Sequence, residues 1–386
     1  MQIQIHPPSF DLLFLTPYIF LFVFLVACET GAKEEEKPIE LKKEINEKFS
    51  FDRKWSVNVF KDQPLGKINI ALSKENIYIF DSKGEIKSYA FNGKRAWSQK
   101  IDAEISSGVT LGFNKLLLSS ADGEVFCLSK DKGEIIWQYS TSGEVLAPPA
   151  TNGDIVAVQN IDGRLTAIDL ETGDFRWDYR SVVPNLSLRG TSQPSFNEGF
   201  LYVGFANGNL AKIEPRSGIT QWEIPITNSK ETSELGRIVD LDGNFVFSSG
   251  VAFAATYQGD VAALDINSGR FIWKQKTSTA NDLISARGKI ILIDEKDQVL
   301  AYSQNSGNLE WFNKDFFLRD LTSPKRFKSS IIYGDFEGFL HALNISEGEQ
   351  VARERVSRSN IISISVKDEN ILTLDSKGKL SLLTLQ

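Results

Sequence analysis

Few residues of this chain are equipped for proton or metal chemistry. Its 386 residues include two histidines, His6 and His341, and two cysteines, Cys28 and Cys127. Two thiols cannot build a disulfide framework or a four-thiolate zinc site. So few imidazoles nearly exclude His-rich metal centres and most Ser/His or Cys/His nucleophile schemes. Cys127 sits in the strand-like run Val-Phe-Cys-Leu and reads as a small buried hydrophobe. His341, in Phe-Leu-His-Ala-Leu, reads as a packed or rim residue rather than a general base. No catalytic residue, metal ligand or cofactor is therefore assigned. The formal net charge of -7, from 43 Lys and Arg against 50 Asp and Glu, gives no polybasic surface for nucleic acid. The remaining chemistry is that of anchoring and recognition.

The anchoring candidate is Cys28. Residues 12–27 form an apolar run interrupted by Pro17, too short for a comfortable membrane span. A short hydrophobic region ending in a small residue is the pattern of an export signal, expected over residues 1–27. The segment Leu25-Val26-Ala27-Cys28 resembles the lipobox of bacterial lipoproteins. That resemblance implies a Cys28 carrying acyl chains such as palmitate at the head of the mature chain. Glu29, rather than Asp, follows it, which resembles lipoproteins sorted to the outer membrane. More than one acyl chain gives stable anchoring. From 28 to 50 the composition turns to charge, as in Lys33-Glu34-Glu35-Glu36-Lys37, and the segment reads as a flexible tether.

The recognition candidates lie beyond residue 50, and their placement depends on a repeat. The seven Trp stand at 55, 97, 137, 177, 222, 273 and 311. From Trp97 onward each follows a Gly by four residues, and Gly348 to Ala352 is a further copy with Ala in the Trp slot. About ten residues before each of these glycines comes another turn glycine, or Asp297 once. One unit reads Asp162-Gly163 for a tight turn, a strand through Leu165, Ala167 and Asp169, a second turn at Gly173, and a return strand. Alternation on that return strand points Phe175 and Trp177 the same way. Four short antiparallel strands per ~42 residues is the signature of a propeller blade. Neighbouring blades bury each other's faces, so the recurring Trp and Gly are read as structural. The expected fold is all-β: an eight-bladed β-propeller over residues 51–386 with four-stranded antiparallel blades. The eighth copy stops before its own Gly-Trp pair, and Lys54-Trp55-Ser56-Val57 at the other end can supply the missing strand. Pairing of the N- and C-terminal strands would close the ring and cover both edges.

Departures from the repeat point to function. From Trp to the next turn glycine the common distance is 26 residues, but Trp177 to Gly208 takes 31 and Trp222 to Gly259 takes 37. Both surpluses fall in consecutive outer-to-inner connections, which lie on one face of a propeller and would raise a patch there. The first holds Leu186-Ser-Leu188-Arg189-Gly190, the second Arg237-Ile-Val-Asp240-Leu-Asp242-Gly243. Apolar side chains beside Arg, next to paired carboxylates, suit protein recognition. Asp240 and Asp242 also fit solvated turn carboxylates. They do not make a calcium loop, because Gly243 comes at the fourth position and no Glu stands at the twelfth. Leu318-Arg319 repeats the Leu-Arg spelling ahead of Pro324, which allows a structural reading of Arg189 as well.

The repeat spelling x-G-x-x-x-A-[IL]-[DN]-x-x-[ST]-G-x-x-x-W resembles quinoprotein-type propellers from about residue 51 to the end. With the lipobox, the Leu-Ser-Leu-Arg-Gly loop and the Arg-x-x-Asp-x-Asp segment, the chain resembles the BamB family of outer-membrane assembly lipoproteins. The resemblance implies a non-enzymatic scaffold of the β-barrel assembly machinery on the periplasmic face of the outer membrane. It implies binding to the periplasmic (POTRA) domains of BamA, and assistance to folding and insertion of outer-membrane barrel clients. Its partner-binding residues fall on Leu186, Leu188, Arg189, Asp240 and Asp242. A quinoprotein dehydrogenase, or a ligand-binding lipoprotein on the same fold, is the alternative.

Overall fold

In the computed structural model, residues 36–61, 68–184, 188, 191–228 and 238–385 are described. Their strands form eight sheets of four antiparallel strands each. Seven sheets are continuous in sequence, covering 71–100, 105–140, 150–180, 195–225, 246–276, 284–313 and 325–355. We number these blades one to seven. Blade eight takes three strands from 361–385 and its outer strand, Phe51–Asn58, from the other end of the chain. The pairing runs from Phe51 opposite Leu385 to Asn58 opposite Lys379. The expected ring closure is present.

The repeat's Trp and Gly turn out to be one device spanning two blades. Trp177 on the outer strand of blade three lies against Gly218, in the outer turn of blade four. A Cβ there would come within 2.7 Å of the indole, and the backbone has φ +73°. Only glycine meets both demands. The Trp177 Nε1–H then donates to Pro215 O at 2.8 Å. Trp55, 137, 222, 273 and 311 donate in the same way to the following blade. Each of these six rings is held by packing, by the glycine and by a hydrogen bond, so truncation to Ala should cost ~3–5 kcal/mol.

Ala352 breaks the series for a topological reason. The blade after it is blade eight, whose outer turn does not exist, because the strands it would join come from opposite ends of the chain. A Trp at 352 would have no turn glycine to cover. Instead Phe51 lies in one apolar cluster with Val351 and Ala352, and Phe49 packs on it.

Two expectations change. Phe175 and Trp177 do not share a face: a bulge shifts the register between Ala167 and Ile168, leaving Phe175 52% exposed while Trp177 is buried. The chain before the ring is also not all tether. Residues 28–35 lie outside the described part, but residues 37–50 run along blades six and seven. Ile39 N–H donates to Phe317 O, Lys42 pairs with Asp315, Arg353 donates to Lys42 O, and Lys48 N–H donates to Val351 O. Leu41 and Phe49 supply the apolar contacts. Charge dominates the segment's composition, yet two well-placed apolar residues and backbone hydrogen bonds fix its second half.

Candidate functional site

The long connection from blade three to blade four begins under firm control. Glu223 accepts from the Tyr179 hydroxyl, from Ser181 Oγ at 2.7 Å and from Asn209 Nδ2 at 2.7 Å. Burial would raise its carboxyl, but these donors outweigh it and hold it below the usual glutamate range. Asn207 Nδ2 donates to Val182 O at 2.8 Å, so the backbone is fixed while the Val182 side chain projects, 87% exposed. Leu188 comes next at 40% exposed.

Leu188 is held from the next connection. Its N–H donates to Asp240 Oδ2 at 2.6 Å, across 52 residues of sequence. Asp240 is completely buried and Asp242 is 5% exposed, so neither is the solvated turn carboxylate that the spacing allowed. The segment is sewn in by its flanks: Ile238, Val239 and Leu241 are buried, and Leu241 N–H donates to Phe205 O. Tyr257 N–H donates to Asp240 O at 2.9 Å. Desolvation raises the Asp240 carboxyl to about 7, opposed by the Leu188 N–H and reinforced by the negative charge of Asp242. Such a carboxylate is a brace inside the molecule rather than a contact offered to solvent.

Of the expected partner-binding residues, the structure thus joins Leu188 and Asp240 and places Asp242 two residues away. Leu186 and Arg189 lie outside the described residues, as does Cys28. Val182 is not among the expected residues; its only sequence signal is the Val-Val-Pro at the start of a lengthened connection.

The second Leu-Arg copy is built differently. Arg319 is buried and donates to Asp335 Oδ2 through Nε at 2.9 Å and Nη2 at 2.7 Å, and it also contacts Glu337. His341 Nε2 lies 3.0 Å from the same Asp335 oxygen, with Gln350 at its other ring nitrogen. Burial works against the Asp335 charge, but His341, the Phe339 N–H and Arg319 keep it below the ordinary aspartate range. Burial pushes the His341 imidazole down. His341 is thus a packed core residue, as the sequence suggested. Cys127 is fully buried and its thiol is pushed up to about 12 by desolvation, which leaves it inert.

The innermost strands line a central cavity of about 630 Å³ with Asn69, Thr110, Gln193 and Asn244 among its walls. Its charged lining residues are Asp282 and Lys325, which pair with each other at 3.1 Å. Among the described residues no group of three or more His, Cys, Asp or Glu could hold a metal ion. Among the described residues, a lining of amides, hydroxyls and apolar side chains with one ion pair does not fit an anionic quinone with its calcium.

Comparison with known proteins decides the family. Residues 82–313 match the family model described as outer membrane protein assembly factor BamB. The chain belongs to the BamB family. A BamB from Kangiella koreensis is 35% identical over 95% of this chain and 94% of its own length. The crystal structure of BamB from Moraxella catarrhalis superposes with a TM-score of 0.81 at 22% identity, covering 86% of this chain and 99% of that one. A quinohemoprotein alcohol dehydrogenase from Comamonas testosteroni shares the fold, with a TM-score of 0.68 at 13% identity, over 86% of this chain and 76% of its own. The relatives that match in sequence are named assembly factors, not enzymes. The BamB name makes this chain a component associated with outer-membrane protein assembly.

Proposed function

We propose that the chain is a scaffold that docks the periplasmic POTRA domains of BamA through the face formed by the blade three-to-four and four-to-five connections. Leu186, Leu188 and Arg189 present the contact surface, with Val182 extending it. Asp240 acts from beneath by holding the Leu188 backbone, with Asp242 buried beside it. The observation that carries this reading is Leu188, an exposed apolar side chain on a backbone clamped by a fully buried carboxylate. A pre-organised apolar anchor loses little entropy on binding. Residues 1–27 serve as export signal and Cys28 as the lipid attachment point. The lipid on Cys28 holds the ring at the periplasmic face of the outer membrane. The docked ring assists folding and insertion of barrel clients.

Pull-down of the BamA periplasmic region by the Leu188→Ala, Arg189→Ala double variant tests this. Clear loss of capture with an unchanged melting temperature is expected. Undiminished capture would overturn the assignment of this face.

A further inference from the structure

On the same face of the ring, across from blade four, the blade seven-to-eight connection borders a pocket of about 660 Å³. Five basic side chains line it: Arg53, Arg355, Arg358, Lys377 and Lys379. One carboxylate, Asp375, is present and already engaged. Its Oδ1 accepts the N–H groups of Lys377 at 3.0 Å and Lys379 at 2.8 Å, and its Oδ2 accepts from Ser357 Oγ. Arg53 Nη2 donates to Val356 O at 2.6 Å, which holds its guanidinium at the pocket wall. The Arg355 guanidinium sits 5.4 Å from the Phe339 ring centroid. None of the five has a carboxylate partner among the described residues. Some cations elsewhere are matched, as in the Arg319–Asp335, Lys325–Asp282 and Lys115–Glu171 pairs.

This concentration of positive charge runs against a chain whose net charge is -7. Five like charges around one small volume repel one another, and an anion in their midst removes that cost. Guanidinium forks grip tetrahedral oxyanions in a bidentate manner, while Lys adds point charge. We propose that this pocket is a binding site for a phosphate group. The chemistry is common to a soluble phosphate ester and to the headgroup of an anionic phospholipid.

A lipid anchor at Cys28 would bring the protein to a surface rich in phosphate headgroups. The chain reaches the same face one blade away, where Ile39 meets Phe317. The nine residues from 28 to 36 could span at most about 30 Å if fully extended. That part of the argument rests on the lipid attachment proposed for Cys28; the pocket itself does not.

The test uses the full chain in mild detergent, titrated calorimetrically at low salt with inorganic phosphate and, separately, with dihexanoyl phosphatidylglycerol. Dihexanoyl phosphatidylcholine is the zwitterionic control. Saturable binding is expected, weakening with added salt. It should be about tenfold weaker in the Arg358→Glu, Lys377→Glu double variant, as befits lost charge-assisted hydrogen bonds. Both side chains are exposed, so the fold is expected to survive, and Arg358→Gln, Lys377→Gln separates loss of charge from its reversal. Tighter binding of the phosphatidylglycerol than of phosphate identifies a headgroup; equal affinity identifies free phosphate as sufficient. Absence of saturable binding to either probe, or equal affinity in both variants, overturns the proposal. The same variants should capture the BamA periplasmic region normally, so failure here is distinguishable from failure of the docking surface.

Discussion

Two connections on one face of the ring carry the same Leu-Arg pair at the same distance from a turn glycine, and the molecule uses them differently. Arg189 and Arg319 each precede such a glycine by 19 residues, Gly208 and Gly338. Sixteen residues after Arg319 stands Asp335, which takes the guanidinium in a buried two-point contact. Sixteen residues after Arg189 stands Phe205, fully buried and without a side-chain acceptor to offer. The blade seven arginine is therefore satisfied by its own blade. In the connection to blade four the residue before the arginine is held from the neighbouring connection, where Asp240 accepts from the Leu188 N–H. One copy of the motif locks a blade; the other displays an apolar side chain.

This contrast predicts where variants should hurt. The largest effect belongs to Arg319→Ala, which leaves Asp335 buried beside a neutral imidazole. A loss of ~3–5 kcal/mol in denaturant-induced unfolding is expected, with partner capture retained at temperatures where the variant is folded. A mild effect would mean that the blade seven pair is not the lock described. Next comes Leu188→Ala, expected to weaken partner binding by ~2 kcal/mol while leaving the unfolding midpoint unchanged. The reverse pattern, lost stability with normal binding, would merge the two connections into one structural class.

The smallest loss of stability belongs to Asp240→Asn. In the folded chain this carboxyl holds its proton up to about pH 7, and in the unfolded chain only to about 3.8. Between those values the folded state binds more protons, so this group makes stability fall as pH rises from about 4 to 7. Asp240→Asn should remove that component and flatten the profile. At about pH 4, where both side chains are neutral, the altered Leu188 contact should change stability by only about 1 kcal/mol. The variant should gain on the parent as pH rises to 7. An unchanged profile would show that Asp240 is ionised and braced by something else.

The propeller is legible in the sequence because its physics repeats. A turn that needs positive φ and a Trp that covers it leave Gly and Trp at fixed offsets along the chain. Even the exception, Ala352, is explained by the missing turn at the ring closure. The lengthened connections are legible for the same reason, as departures from a fixed spacing. Burial inside them is not. Asp240 and Asp242 look like solvent-facing carboxylates in sequence, and only the packing of Val239 and Leu241 shows the turn folded inward. Residues 37–50 look like tether because charge hides the two apolar contacts, Leu41 and Phe49. The bulge that separates Phe175 from Trp177 leaves no mark in a local alternation count.

The central claim is that the blade three-to-four connection, and not its blade six-to-seven counterpart, meets the assembly partner. A photo-cross-linking residue placed at position 188 in one variant and at 318 in another tests it in intact cells. An adduct with BamA is expected from position 188 and none from 318. An adduct from 318 alone, or equal yields from both, would contradict it.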